Sequence, residues 1–198
     1  MTVAPRFSVV IPVYNEAESL GELLARIDAT MTRLGHTYEV VAVDDGSTDG
    51  SLETLKALAA RDGRIRVYSF RRNLGKSPAL TCGFQVAAGQ YVFTLDADLQ
   101  DDPASLEPMF AALTSGPLDV VSGWRKNRRD GFVKVISSKI FNHLVMRLLF
   151  GCALEDMNSG VKLYGANVAK DLHLYGGMHR FIPLIAKELG YRVAEVPV

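Results

Sequence analysis

Tyr91-Val-Phe-Thr-Leu-Asp-Ala-Asp-Leu-Gln-Asp-Asp-Pro103 begins as an apolar run and turns abruptly acidic. Tyr91 to Leu95 is aromatic, β-branched and aliphatic, the composition of a buried strand. In an extended backbone alternate side chains share a face, so Asp96, Asp98 and Gln100 are expected to point the same way. Oxygen-bearing groups at the mouth of a buried strand are costly unless paired. A hard divalent cation, Mg²⁺ or Mn²⁺, suits them, because it prefers oxygen ligands and often also holds substrate phosphates. Asp101 and Asp102 have a plainer reading, as caps for a helix starting at Pro103.

Working outward, strands and helices alternate. Phe7 to Tyr14 reads as a buried strand ending near Pro12. Asn15-Glu-Ala-Glu-Ser then opens a helix, with acidic residues suited to its dipole. Leu20, Leu23, Leu24, Ile27, Met31 and Leu34 recur at helical spacing, and Gly35 closes the helix. Tyr38 to Val43 is a second strand, followed by Asp44-Asp-Gly-Ser-Thr-Asp-Gly-Ser51 and a helix carrying Leu52, Leu55 and Leu58. Ile65 to Phe70 is a third strand and Lys76 to Ala88 a third helix. Pro103 to Leu113 is a fourth helix, Asp119 to Gly123 a fifth strand, and Phe181 to Leu189 a later helix opened by His179 and Arg180. This order predicts one α/β domain over residues 1–198 with a mostly parallel central sheet flanked by helices.

Polar residues collect where strands end: Tyr14, Asn15 and Glu16 after the first, Asp44 and Asp45 after the second, and Arg71, Arg72 and Asn73 after the third. Asp96 and Asp98 follow the fourth, and Arg125 the fifth. Open α/β sheets bind ligands outside the carboxyl ends of their strands. Two nucleotide motifs fail. Gly75-Lys76-Ser77 resembles the end of a P-loop, but Phe70 stands where that motif needs glycine. No Gly-x-Gly-x-x-Gly follows the first strand, so a dinucleotide fold is unsupported. Asp44 could instead accept hydrogen bonds from a base N–H or ribose hydroxyls.

Lys plus Arg and Asp plus Glu number 22 each among 198 residues. The zero net charge argues against general nucleic-acid binding. Cys82 and Cys152, both in apolar surroundings, have no metal-ligand spacing and read as reduced core thiols of a cytoplasmic protein. Met1 to Arg6 is too short and polar for a signal peptide, and no uncharged apolar run reaches ~18 residues.

Val9-Val-Ile-Pro-Val-Tyr-Asn-Glu16, Val43-Asp-Asp-Gly-Ser-Thr-Asp49 and Leu95-Asp-Ala-Asp-Leu-Gln100 resemble the family 2 glycosyltransferases of GT-A fold. Arg72-Asn-Leu-Gly-Lys76, Val121-Ser-Gly-Trp-Arg125, Asp156-Met-Asn-Ser-Gly160 and His179-Arg-Phe-Ile-Pro183 narrow the likeness to the polyprenyl-phosphate branch. That branch includes dolichol-phosphate mannosyltransferases and bactoprenol glucosyltransferases. The resemblance runs from about Phe7 to Val198. It implies inverting transfer of a sugar from a UDP- or GDP-linked donor to a polyprenyl phosphate. Pro12, Tyr14, Glu16, Asp44, Asp45, Lys76, Asp96 and Ala97 would meet the nucleotide. Asp96, Asp98 and Gln100 would hold Mg²⁺ or Mn²⁺, and Asp98, Arg125 and Asp156 would serve catalysis. Family members usually continue beyond a Glu-Val-Pro-Val segment with His-x-Pro-Arg and Ser-Lys-Tyr, so a chain stopping at Val198 is expected to be a shortened catalytic domain.

Several positions keep two readings. Asp156 is an acceptor-site acid or a structural hydrogen-bond acceptor. Arg125 is a donor fork suited to phosphate, and Arg128 and Arg129, with Lys126, form an acceptor-phosphate clamp or a solvated basic loop. His179 and Arg180 line the same site or lie on the surface. Along Gly131 to Gly151, Lys139, His143 and Arg147 stack in one basic stripe between apolar ones. That segment is either a core helix with a solvated edge or an interfacial helix docking the domain, peripherally, on the cytosolic leaflet. Two other classes share the fold and metal motif: a sugar nucleotidyltransferase, disfavoured by the acidic loop after strand two, and a non-catalytic nucleotide-sugar-binding module.

Overall fold

A computed structural model describes residues 4–124, 156 and 158–198. Within them a seven-stranded sheet runs in the order β3-β2-β1-β4-β6-β5-β7. Its strands are β1 Phe7–Val13, β2 Tyr38–Asp44, β3 Ile65–Ser69, β4 Tyr91–Thr94, β5 Val120–Trp124, β6 Lys162–Gly165 and β7 Val193–Pro197. The helices are α1 Leu20–Leu34, α2 Ser51–Ala59, α3 Lys76–Val86, α4 Leu106–Ser115, α5 Ala166–Asp171 and α6 Ile182–Glu188. Neighbouring strands pair in parallel except at β6, which runs antiparallel to both β4 and β5.

β1 and β2 lie at the centre of their half of the sheet, and nearly every residue is buried. Their apolar runs therefore serve both faces, as expected of parallel strands covered by helices on each side. Side-chain alternation sorts them. Phe7, Val9, Ile11 and Val13 pack toward α1, α2 and α4, with Leu23, Ile27, Met31, Leu55 and Met109. Val10, Val41 and Val43 pack toward α3, α5 and α6, with Leu80, Phe84, Val168 and Ile182. The result is three layers, helix on sheet on helix. Glu39 ties β2 to the end of α3: its buried carboxylate accepts from Ser8 Oγ at 2.6 Å, from the Ala88 N–H at 2.7 Å and from Arg66 at 2.9 Å.

The structure departs from the sequence expectation at four places. The helix expected from Asn15 begins at Leu20. Asn15 sits at φ 57°, and the N–H groups of Asn15, Glu16 and Ala17 are held by Ser47, Ser51 and Asp49 of the next loop. Those tertiary bonds replace the first helical turn. The fourth helix opens as a 3₁₀ turn, Pro103–Ser105, which Asp102 caps through the Ala104 N–H. The later helix is likewise preceded by a 3₁₀ turn, Met178–Phe181. β6 and β7 are additional strands; β6 is four residues long and carries a lysine, which hides its period. Cys82 is half-buried with its thiol pKa pushed up by burial; Cys152 and the Gly131–Gly151 segment lie outside the described residues. No helix among the described residues is long and apolar enough to cross a membrane.

Candidate active site

From β1 the chain passes through α1 to β2 on one side, while β4 adds on the other. The carboxyl ends of β1 and β4 therefore flank a switch point, the place where open α/β sheets form ligand crevices. A cavity of about 290 Å³ opens there. Its walls come from four successive strand ends: Pro12, Val13, Tyr14 and Glu16; Asp45; Asn73, Gly75 and Lys76; and Asp96, Ala97 and Asp98.

The acidic loop after β2 mostly braces its neighbours. Asp45 receives the Leu74 and Gly75 N–H groups on its two carboxylate oxygens, at 2.7 and 2.8 Å, and donates its own N–H to Val13. One residue, through its side chain and its main chain, thus fixes three strand ends against one another. Gly46 makes this closeness feasible: at φ 70° its missing Cβ would lie 2.4 Å from the Arg72 carbonyl carbon. Asp44 is 1% exposed, with Ser69 Oγ donating to one oxygen at 2.8 Å and the Ser47 N–H to the other at 3.2 Å. It forms no part of the cavity wall.

Asp96 is half-buried and Asp98 exposed. The Lys76 ammonium sits 2.5 Å from Asp96 Oδ1, with both side chains 30% exposed. Behind Asp96 the turn before β6 comes so close that a Cβ on Gly160 would lie 2.5 Å from Oδ2. Thr94 Oγ1 donates to the Gly160 carbonyl at 2.9 Å and fixes that turn to β4.

Gln100 does not share a face with the two aspartates, contrary to the expectation from strand alternation. β4 ends at Thr94, and Leu99 takes a left-handed φ of 61°. Strand alternation therefore does not reach Gln100, which is exposed and off the cavity wall. Its backbone N–H donates to Asp98 Oδ1 at 3.1 Å, so it positions that carboxylate through the main chain. Leu99 in the left-handed region marks stored backbone strain beside the acidic pair.

Among the described residues no three His, Cys, Asp or Glu side chains gather into a metal cluster. Two carboxylates suffice for Mg²⁺ or Mn²⁺ held jointly by substrate phosphates and water. Asp96 already holds one cation, the ammonium of Lys76, so Asp96 and Asp98 would fit a divalent metal.

On the other side of Lys76 a small polar cavity is lined by Thr94, Asn158, Ser159, Lys162, Tyr164 and His179, among others. Lys162 is 2% exposed and its ammonium donates to the Ser159 carbonyl. His179 docks on the fully buried Ser77: its N–H donates to Ser77 Oγ at 3.0 Å, and its Nδ1 lies 3.0 Å from the same oxygen. Burial first, then the charges of Lys76 and Arg180, lower the His179 pKa, with Asp96 opposing. Arg180 is exposed. Asp156 is buried, its N–H held by Glu195 at 2.9 Å, and it lines neither cavity.

Residues 8–168 match the family described as glycosyl transferase family 2. The chain belongs to that family. It is 40% identical over 178 residues, 89% of this chain, to dodecaprenyl-phosphate galacturonate synthase of Rhizobium johnstonii, and covers 52% of that protein. It is 38% identical over 192 residues, 96% of this chain, to the undecaprenyl-phosphate 4-deoxy-4-formamido-L-arabinose transferase of Edwardsiella ictaluri, covering 58% of it. The chain thus spans little more than half the length of these curated relatives. Among solved structures, a mannosyltransferase from Pyrobaculum calidifontis in complex with GDP-Man and Mn²⁺ aligns at a TM-score of 0.69 and 22% identity, over 99% of this chain and 56% of that one. The fold is that of the GT-A glycosyltransferases.

In this family-2 chain the structure brings eight of the expected residues to one cavity: Pro12, Tyr14, Glu16, Asp45, Lys76, Asp96, Ala97 and Asp98. Arg125, Arg128 and Arg129 lie outside the described residues. Sequence reasoning missed the wall positions Val13 and Gly75 and the support residues Ser77, Lys162 and Gly160. A glycine closing Asp156-Met-Asn-Ser was the available signal that something must approach its backbone.

Proposed function

We propose that this chain is the donor-binding catalytic part of an inverting, metal-dependent glycosyltransferase that moves a sugar from a UDP- or GDP-linked donor to a polyprenyl phosphate. The observation that carries the reading is Asp96 paired with Lys76, with Asp98 on the same wall, in a cavity at the switch point of a GT-A sheet. The curated relatives support the acceptor class, since their names specify dodecaprenyl and undecaprenyl phosphate.

An oxygen of the acceptor phosphate attacks the anomeric carbon, the bond from that carbon to the donor diphosphate breaks, and the nucleoside diphosphate leaves with the electron pair. A phosphomonoester with a second pKa of about 6 is largely ionised at neutral pH, so the protein need not supply a base. A divalent metal, Mg²⁺ or Mn²⁺, supplies Lewis-acid stabilisation of the leaving diphosphate when bound. Asp96 and Asp98 would hold that metal. Lys76 would meet the diphosphate, and Tyr14 and Glu16 would flank the nucleoside. Asp44 acts on the nucleoside through the loop it holds. His179 and Arg180, with Arg125, Arg128 and Arg129, would form the acceptor-phosphate side. Asp156, buried at the foot of the turn carrying Gly160, would set that side's shape. A lipid acceptor would bring the site to a membrane surface, and we assign the domain a peripheral position on the cytosolic face.

The test is transfer. The protein is incubated with undecaprenyl phosphate, Mn²⁺ or Mg²⁺, and a panel of UDP- and GDP-sugars, and the lipid product is separated by chromatography. Product with at least one donor, abolished by chelation and by Asp98→Asn, is the expected result. Nucleotide-sugar binding without lipid product from any donor would overturn the catalytic reading.

A further inference from the structure

We propose that the Lys76 ammonium is a built-in counter-ion for Asp96, keeping that carboxylate in binding position before donor and metal arrive and then transferring to the donor diphosphate. This rests on the metal site proposed above and adds a coupling between its two ligands.

The placement of Lys76 carries the argument. Its backbone begins α3, and the residue before it, Gly75, is pinned through its N–H to Asp45. Ser77, the residue after it, is fully buried and bonded to His179. The main chain on both sides is therefore fixed, and only the flexible four-carbon stem moves the ammonium. Its present partner is Asp96, at 2.5 Å, in a cavity wall that also carries Asp98. Asp96 cannot retreat, because the Gly160 backbone closes the space behind its carboxylate.

Two cations cannot share Asp96 Oδ1 at contact distance without strong repulsion. The carboxylate becomes available to a divalent ion only as the ammonium leaves it. The freed ammonium has to find another anion, since an unpaired charge in a half-buried wall is costly. Within the reach of its stem the open cavity is where a diphosphate would lie. A diphosphate that draws Lys76 away thus exposes Asp96, and occupation of Asp96 releases Lys76 to the diphosphate. Each ligand strengthens the other by the same factor, as linkage requires. The empty site, neutralised internally at Asp96, has low appetite for free metal.

The counter-ion role predicts opposite signs for one substitution. Mn²⁺ binding is titrated by electron paramagnetic resonance on the wild type, Lys76→Met and Asp96→Asn, with Mn²⁺ alone and with saturating UDP or GDP. Lys76→Met should bind Mn²⁺ alone about five-fold or more tighter than wild type, while the gain in Mn²⁺ affinity on adding nucleotide shrinks by a comparable factor. Lys76→Gln, also uncharged but polar, should behave in the same way, and thermal melts confirm that each variant is folded. Unchanged or weaker Mn²⁺ binding by both Lys76 variants would overturn the counter-ion role alone. Wild-type binding insensitive to Asp96→Asn would overturn the metal site itself and the counter-ion role with it.

Discussion

The Asp96 carboxylate fills the space where Gly160 would carry a side chain, so that a Cβ there would stand 2.5 Å from Asp96 Oδ2. The contact joins the end of β4 to the turn before β6, two stretches far apart in sequence. It explains why a residue without a side chain closes the Asp156-Met-Asn-Ser-Gly160 segment.

Gly160→Ala should therefore act on binding more than on folding. The clashing group is a carboxylate end that can swing, so the melting temperature should fall only slightly, well inside the ~1–3 kcal/mol typical of an overpacked core. Displaced toward solvent, Asp96 should lose Mn²⁺–nucleotide affinity by about ten-fold. Calorimetry with UDP or GDP and Mn²⁺, beside a thermal melt, measures both; a large stability loss with unchanged affinity would contradict it.

Asp45→Ala should loosen the cavity without removing a metal ligand. It frees the part-buried N–H groups of Leu74 and Gly75, at a cost below the ~1–3 kcal/mol of a fully buried donor left unsatisfied. The expected result is a lower melting temperature and weaker nucleotide binding both with and without Mn²⁺. Loss confined to the metal-dependent part would show instead that Asp45 touches the metal.

Glu39 supplies an acid-sensitive part of the stability. Burial alone would raise its pKa, but the hydrogen bonds from Ser8, the Ala88 N–H and Arg66 outweigh that and lower it. A carboxyl whose folded pKa lies below its unfolded value stabilises above the unfolded value, and the contribution is lost as pH falls through the folded one. Wild-type stability should therefore decline below the usual glutamate pKa of about 4.3 more steeply than that of Glu39→Gln. Denaturant titrations from pH 7 to 3 on both proteins give the comparison. Parallel curves would remove Glu39 from the account.

His179 should be neutral through the physiological range. Its pKa is lowered by burial and by Lys76 and Arg180, so the folded state binds its proton less readily than the unfolded chain. The resulting stability is present above the unfolded value of about 6.5 and is lost as pH falls below it. Proton NMR should show the His179 ring titrating below an ordinary histidine, and His179→Gln should flatten the stability curve between pH 6.5 and 5. A ring midpoint at or above 6.5 would contradict the assignment.

The alternation of β1, β2 and β4 with their helices was legible because fully buried parallel strands are near-continuous apolar runs. The site was legible for a related reason: polar residues directly after such runs have few structural uses. What escaped notice was tertiary. Asn15 to Ala17 have helix-like neighbours, yet their N–H groups belong to Ser47, Asp49 and Ser51 across the loop. Asp44 and Asp45 are indistinguishable in the sequence, but one is enclosed behind the wall and the other forms part of it. β6 is short and contains Lys162, whose buried ammonium donates to the Ser159 carbonyl. Gln100 was misplaced because the left-handed turn at Leu99 cannot be seen in residue types.

The reversed direction of β6 has an architectural consequence. Because β5 and β6 are antiparallel neighbours, the chain leaves the sheet after Trp124 and re-enters at Lys162 along the same edge that carries Asp96. Both ends of that excursion are anchored in paired strands, where Ser122 stands opposite Lys162 about one strand spacing away, near 4.8 Å. Lengthening such a closed segment costs little, roughly 0.6 kcal/mol per doubling. The sheet thus works like a fixed chuck: the strand ends that wall the cavity keep their register whatever the length of chain between those anchors.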